Sequence, residues 1–340
     1  MDEKDWAQIV AAATRAPSIH NTQPWRFVAG PERLDVHLDT ERALPVLDPT
    51  GRQQIISCGS AVEFAVVALT AAGHAAEVEL LPDDADPGHL ATVRVTGGHE
   101  PTDEDRTLAG AIDLRHTVRA AFEHRSVPGD VIDRLQHEAA RYGTWFKPIT
   151  RSEEEGATVF LISRAEEMEQ SDPAYLEELH RWMRTDPDSV DGVPVEAVLS
   201  EDPRTRASNW LIRDFVVGQR ESPQSPFLEA ADADAPPPDV ERPAVVLMGT
   251  ESDDRYAWLL AGRALGRVLL HATAAGVAAS PLTQALDWPA TRTRMQAQLS
   301  LVGHPQMLLR MGYAPEAAAG QAVSGRRPVA DVLRFEPAGS

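Results

Sequence analysis

Arg115-His116-Thr117-Val118-Arg119 puts two guanidinium groups and a hydroxyl into one short stretch. Guanidinium forks hold phosphate oxygens in pairs, so these residue types can build an anion site. The setting sharpens that reading. The chain has a net charge of −20, and its only lysines are Lys4 and Lys147. Any phosphate site must therefore come from arginine, histidine or backbone N–H groups. A solvated basic turn is the competing reading of the same five residues.

A second stretch, APSIHNTQPWRF from Ala16 to Phe27, sets Ser18, His20, Asn21, Thr22 and Gln23 between Pro17 and Pro24. Two prolines stiffen the loop by fixing φ and removing donors. Its hydroxyl and amide groups can meet the polar edge of a ligand. Serine and asparagine also cap and turn chains routinely, and on residue types alone that role is the stronger.

The elements that must carry these stretches follow from periodicity. Trp6, Ile9, Val10 and Ala13 share one face of an opening helix that ends at Pro17. Trp25 to Val28 reads as a strand, as does the alternation of Leu34, Val36 and Leu38, with Gly30-Pro31 turning between them. A long helix from Arg52 to Ala72 is apolar nearly all round, and therefore buried. Val78 with Leu80, and Val93 with Val95, give two more strands. Helices are then expected over Glu104–Leu114 and around Val131 to Ala139, and strands over Thr144–Ile149 and Thr158–Ile162. A helix from about Arg164 to Arg184 precedes the proline-rich, acidic stretch 186–238. Ala244–Met248 is a strand, Asp254–Ala275 a second long buried helix, and Gln306–Met311 the last clear strand.

The two long helices match each other. Shifted by 203 positions, Gly59, Ala61, Thr70, Ala71, Ala72, Gly73, Ala75 and Ala76 meet identical residues at Gly262 to Ala279. Either the chain is duplicated, with its halves packing through these helices, or two unrelated alanine-rich core helices happen to agree.

Several functions are excluded or disfavoured by composition. A strongly acidic chain lacks the basic surface that nucleic acid or an anionic membrane requires. No apolar run approaches the roughly 20 residues of a membrane span, and the start MDEKDWAQIV lacks the pattern of a signal peptide, so a cytoplasmic location is expected. The single cysteine, Cys58, sits in an apolar helical pattern and is expected to be buried packing. There is no G-x-G-x-x-G dinucleotide turn, P-loop or G-x-S-x-G elbow. His137-Glu138 begins like a zinc-binding helix motif, but Arg141 stands where its second histidine belongs. With eleven scattered histidines, no metal site is expected.

APSIHNTQPWRF resembles the N-terminal signature of nitroreductase-like flavoproteins, and the histidine before Asn21 is typical of their Acg subgroup. Arg115 to Arg119, followed by VPGDVIDRLQHEA, resembles the family's basic R-x-[ST]-x-R element and the helix after it. AGRALGRVLLHATAAGVAASPLTQAL resembles its long central helix and the loop reaching the flavin ring. Gly325-Arg326-Arg327-Pro328 resembles the basic pair near its C-terminus. The resemblance implies an α+β fold of the nitroreductase type, internally duplicated as a fused pseudo-dimer, with mixed sheets and long central helices. It divides the chain into halves 1–100 and 101–340, with a lid over 186–238. FMN is the implied cofactor, with NAD(P)H and a small nitro- or quinone-like acceptor as partners. Arg115, Arg119, Arg326 and Arg327 would hold its phosphate, beside His116. Thr117, Ser18 and Asn21 would meet the ribityl chain or ring edge, Ser280, Pro281, Leu282 and Thr283 the ring, and Pro17 and His20 would also contact the cofactor. No proton donor is assigned, His20 being the one candidate. A lid-covered flavin module that stores FMN or senses its redox state is the alternative.

Overall fold

The computed structural model describes residues 1–186, 188–195, 241–316 and 324–337. Helix α1 (Glu3–Ala13) starts at a capping box: the Asp2 carboxylate accepts from the Asp5 N–H, and the Asp5 carboxylate accepts from the Asp2 N–H. It buries Trp6, Ile9, Val10 and Ala13, the face expected from their spacing. Strands β1 (Trp25–Ala29) and β2 (Arg33–Leu38) form a hairpin. Helix α2 (Arg52–Ala71) follows, then β3 (His74–Leu80) and β4 (His89–Gly98). Helices α3 (Asp103–Leu114) and α4 (Gly129–Ala140) lead to β5 (Trp145–Pro148). Next come α5 (Ser152–Ser171), α6 (Pro173–Arg181), and the short parallel pair β6 (Met183–Arg184) and β7 (Val193–Pro194). After β8 (Ala244–Thr250) run α7 (Arg255–Ala274), β9 (Ala278–Pro281), α8 (Gln284–Asp287), α9 (Pro289–Gln298) and β10 (His304–Gly312). A last turn of helix, α10 (Val329–Val332), delivers β11 (Leu333–Phe335).

Two principal sheets result. One has the order β11-β1-β2-β4-β3, the other β5-β8-β10-β9. Setting β11 aside, the two share one topology. In each, the first strand pairs antiparallel with the second, the second with the fourth, and the fourth with the third. The long helix lies between the second and third strands in both. β11 pairs parallel with β1, so the C-terminal residues complete the first sheet.

Helices α2 and α7 cross at the core of the molecule. A Cβ on Gly59 would lie 2.4 Å from the Leu259 carbonyl oxygen, and one on Gly262 would lie 2.1 Å from that of Ile56. The crossing is closed by Ser60, whose hydroxyl donates to the Gly262 carbonyl at 2.9 Å. Gly59 and Gly262 are the residues matched by the 203-position shift.

Three expectations need correction. Thr158–Ile162 is not a strand but part of α5. Its buried residues Thr158, Leu161, Ile162, Ala165, Glu166 and Glu169 recur at three- and four-residue intervals, and that face outweighs the β preference of its branched side chains. The expected helix from Arg164 to Arg184 is two helices. Pro173 biases the residue before it away from helical backbone, and the Asp172 carboxylate caps α6 by accepting from the Ala174 N–H at 2.9 Å. Finally, α2 is long and apolar enough to cross a membrane, but 78% of its apolar window is buried inside the fold, as befits a core helix. Cys58 on α2 is fully buried, its thiol donating to the Pro24 carbonyl at 3.2 Å. Of the expected lid, residue 187 and residues 196–238 lie outside the described residues.

Candidate active site

The loop after α1 is wound tightly. His20, Asn21 and Gln23 all have left-handed backbone, with φ of 44°, 53° and 51°. Side chains at such φ are strained by roughly 1–2 kcal/mol each, and asparagine and histidine take the conformation more readily than glutamine. Hydrogen bonds hold the winding. Ser18 Oγ accepts from the Gln23 N–H at 3.0 Å, and Ser57 Oγ accepts from the Ile19 N–H at 3.1 Å. Asn21 Nδ2 donates to the Gly192 and Gly325 carbonyls, both at 3.1 Å. Gln23 Nε2 donates to the Val190 carbonyl at 2.8 Å, while its Oε1 accepts from the Arg327 N–H at 2.9 Å. Ser18, Asn21 and Gln23 therefore build the loop and fasten 188–195 and 324–327 to it. His20 is buried within it.

That fastening brings distant arginines together. Arg115, the residue that ends α3, is 7% exposed, and its Nη2 donates to the Arg15 carbonyl at 3.2 Å. Arg326 Nη2 donates to the same carbonyl at 3.3 Å, and its Nη1 donates to Asn21 Oδ1 at 3.2 Å. Neither guanidinium pairs with a carboxylate among the described residues, and the Nε of each is buried without a partner. Burial and the nearby Arg15 charge pull Arg115 down to about 10. Burial, Arg115 and Arg15 pull Arg326 down to about 9. Such crowding of like charge is costly unless an anion sits among them. Arg327 differs from its neighbour: it is paired with Asp39 at 3.2 Å. Arg119 is partly buried and engaged, and His116 is exposed, its Nδ1 3.0 Å from the Leu114 carbonyl oxygen.

Beside Arg115 opens a cleft. Pro17, Arg115, His116 and Thr117 line it. Its walls are Leu265, Leu269 and Thr273, on one face of α7, with Val277, Ala279 and Pro281 from the β9 side and Met307 and Leu309 from β10. The basic segment reaches this wall because Thr117 forms a parallel bridge with Ala279, and the Val118 N–H donates to the Ala279 carbonyl at 3.2 Å. Ser280 is buried within β9, and Thr283 is the capping residue of α8. The Leu282 side chain turns the other way, into a core cluster with Val245, Leu247, Leu286 and Leu308. Sequence patterns single out neither Arg15 nor the α7 wall as site residues, although the four-residue spacing of Leu265, Leu269 and Thr273 marks a single helix face. An apolar slot with a buried cationic end suits a flat apolar ligand carrying an anionic tail.

No protein-family model matches the chain. It is 37% identical over 328 residues to "Putative NAD(P)H nitroreductase Rv3131" of Mycobacterium tuberculosis, a match spanning 96% of this chain and 90% of that protein. It is 30% identical over 324 residues to "Putative NAD(P)H nitroreductase acg" of the same organism, spanning 95% and 93% of the two chains. Among solved structures it is similar to the FMN-dependent nitroreductase NfnB from Mycobacterium smegmatis in complex with NADPH, with 16% identity, a TM-score of 0.39, and coverage of 69% of this chain and 100% of the other.

Proposed function

The chain belongs to the Acg-type nitroreductase family, and we propose that it is an FMN-dependent oxidoreductase acting between NAD(P)H and a small nitro- or quinone-like acceptor. Bound FMN supplies the hydride-transfer chemistry; the protein orients it and sets its electrostatics. The reading is carried by one observation: Arg115, which lines an apolar cleft, is crowded against Arg326 with no carboxylate paired to either among the described residues. These residues fit the cofactor. A phosphate would take the two orphaned Nε–H groups and relieve the repulsion, and the walls formed by Leu265, Leu269 and Met307 suit a flat ring. Thr117 and Pro281 line the same cleft.

The same reading makes the chain a fused pseudo-dimer of halves 1–100 and 101–340. Its supports are the shared strand order and the meeting of Gly59 with Gly262 at the helix crossing. The site is then composite, with Arg115 from one half donating to the Arg15 carbonyl of the other.

A second reading, a covered flavin with little turnover, draws on the clasp between the loop and 190–192. An absorption spectrum of the purified protein, repeated after anaerobic NADPH and then NADH, separates the two. A flavin band bleached by either nucleotide supports the oxidoreductase. A band that bleaches only with dithionite supports the covered module. A colourless protein that takes up no added FMN refutes both.

A further inference from the structure

Away from the cleft, α3, α4 and α7 bring together three groups of different chemistry. His271 lies in the last turn of α7, its side chain 9% exposed. Its Nε2 has no hydrogen-bond partner among the described residues. That nitrogen lies close to two carboxylates, 3.4 Å from Glu138 Oε2 and 3.6 Å from Glu104 Oε1. We propose that Glu104, Glu138 and His271 bind one divalent transition-metal ion, linking the three helices.

The spacing fits. The three ligand atoms lie within 4.8 Å of one another. Ligands of a four-coordinate ion with bonds of about 2.0–2.1 Å stand roughly 3.3 Å apart, close to both histidine distances. One nitrogen with two carboxylate oxygens suits zinc and its neighbours; calcium and magnesium favour oxygen throughout.

The surroundings hold the carboxylates in place. Arg267 donates to the two oxygens that face His271, at 3.1 Å to Glu138 and 2.9 Å to Glu104. Glu104 Oε1 keeps a second lone pair, whereas Glu138 Oε2 also accepts from the half-exposed Arg141 Nη1 at 3.2 Å, a bond the ion would have to replace. Arg134 engages the far oxygens, at 3.2 Å on Glu138 and 3.1 Å on Glu104. Outer hydrogen bonds of this kind orient metal-binding carboxylates. The charge of Arg267 opposes a cation, but it is shared with a third carboxylate, Glu63, at 4.0 Å. Position argues for a structural ion. Residue 271 lies two places from Leu269 and from Thr273, which line the cleft, so its side chain leaves α7 on the opposite side. An ion there would add its binding energy to the cohesion of the three helices.

The test is calorimetric titration of zinc chloride into full-length, EDTA-dialysed protein, alongside thermal melting. The expected result is one zinc ion per chain and a melting temperature that rises with zinc. His271→Ala and His271→Gln should weaken binding at least about tenfold, while the exposed His137→Ala should not. In wild-type protein labelled with nitrogen-15 histidine, zinc should shift the ring nitrogen of one buried histidine, a readout that needs no variant. Absence of saturable zinc binding, binding unchanged in both His271 variants, or zinc shifts confined to exposed histidines would each overturn the site.

Discussion

Asn21 and Arg326, 305 positions apart, meet through a 3.2 Å hydrogen bond from Arg326 Nη1 to Asn21 Oδ1. The Asn21 amide nitrogen donates to two further carbonyls, those of Gly192 and Gly325. One residue thus fastens the loop, the segment 188–195 and a cationic side chain. Asn21→Ala should destabilise the protein by roughly 1–3 kcal/mol, because it unpairs buried carbonyls and puts an alanine at positive φ. Asn21→Gly removes the same bonds but not the backbone conformation. If the hydrogen bonds dominate, both variants should melt well below wild type and bind FMN more weakly. A glycine variant as stable as wild type would leave backbone strain as the only role of Asn21.

Arg115 offers a cleaner separation of cofactor binding from folding. It is buried, its Nε is orphaned, and the nearby Arg15 charge helps depress it to about 10. Arg115→Met should leave the FMN-free protein as stable as before, or slightly more so, since an unpaired buried charge is removed. FMN affinity should fall about 10- to 100-fold, as expected for losing a charge-assisted phosphate contact of roughly 1.5–3 kcal/mol. Fluorescence titration with FMN and melting of the stripped protein measure the two effects. Unchanged affinity would remove Arg115 from the phosphate site.

Much of this was legible in the sequence, and the rest was hidden for physical reasons. The faces of α1, α2 and α7 follow from apolar spacing, and the Gly59–Gly262 crossing was foreshadowed by the match between the helices. The strand misread at Thr158–Ile162 shows tertiary burial overruling local preference. No spacing rule could bring Arg326 to Arg15 and Arg115, because the contacts to the Arg15 carbonyl span 100 and 311 positions and run through the backbone. Nor could it separate Arg326 from Arg327, whose fates diverge only because Asp39 stands beside one of them. Ser18, Asn21 and Gln23 carried two readings, ligand contact or loop construction, and their side chains build the loop.

Asp48 should give the protein a distinctive acid-side profile. Burial is the main cause raising its carboxyl from 3.8 to about 6, against the lowering effect of the Gln54 and Gln53 N–H groups. Between those two values the folded chain holds a proton that the unfolded chain has lost. Stability from this group is therefore full below about 4 and is lost as pH rises to about 6. Asp48→Asn keeps an acceptor for the Gln54 N–H, now bonded at 2.9 Å, without the buried charge. Above pH 6 it should be more stable than wild type by on the order of 2 kcal/mol, converging with it near pH 4. Urea midpoints measured across that range would show the difference, and a pH-independent offset would assign the effect to something other than ionisation.

The helix crossing should tolerate no added methyl group. A Cβ on Gly262 would lie 2.1 Å from the Ile56 carbonyl oxygen and 2.9 Å from the Gly59 Cα, both backbone atoms that cannot swing aside. Gly262→Ala must push α2 and α7 apart, at a cost of roughly 1–3 kcal/mol or more as the packing around them loosens. Gly110, on the exposed side of α3, has nothing within 4 Å of its added Cβ. There the same change should stabilise by about 0.5–1 kcal/mol, through helix preference alone. Urea unfolding of the two variants should therefore move in opposite directions. A Gly262→Ala protein as stable as wild type would mean that the helices do not approach as closely as their backbones require.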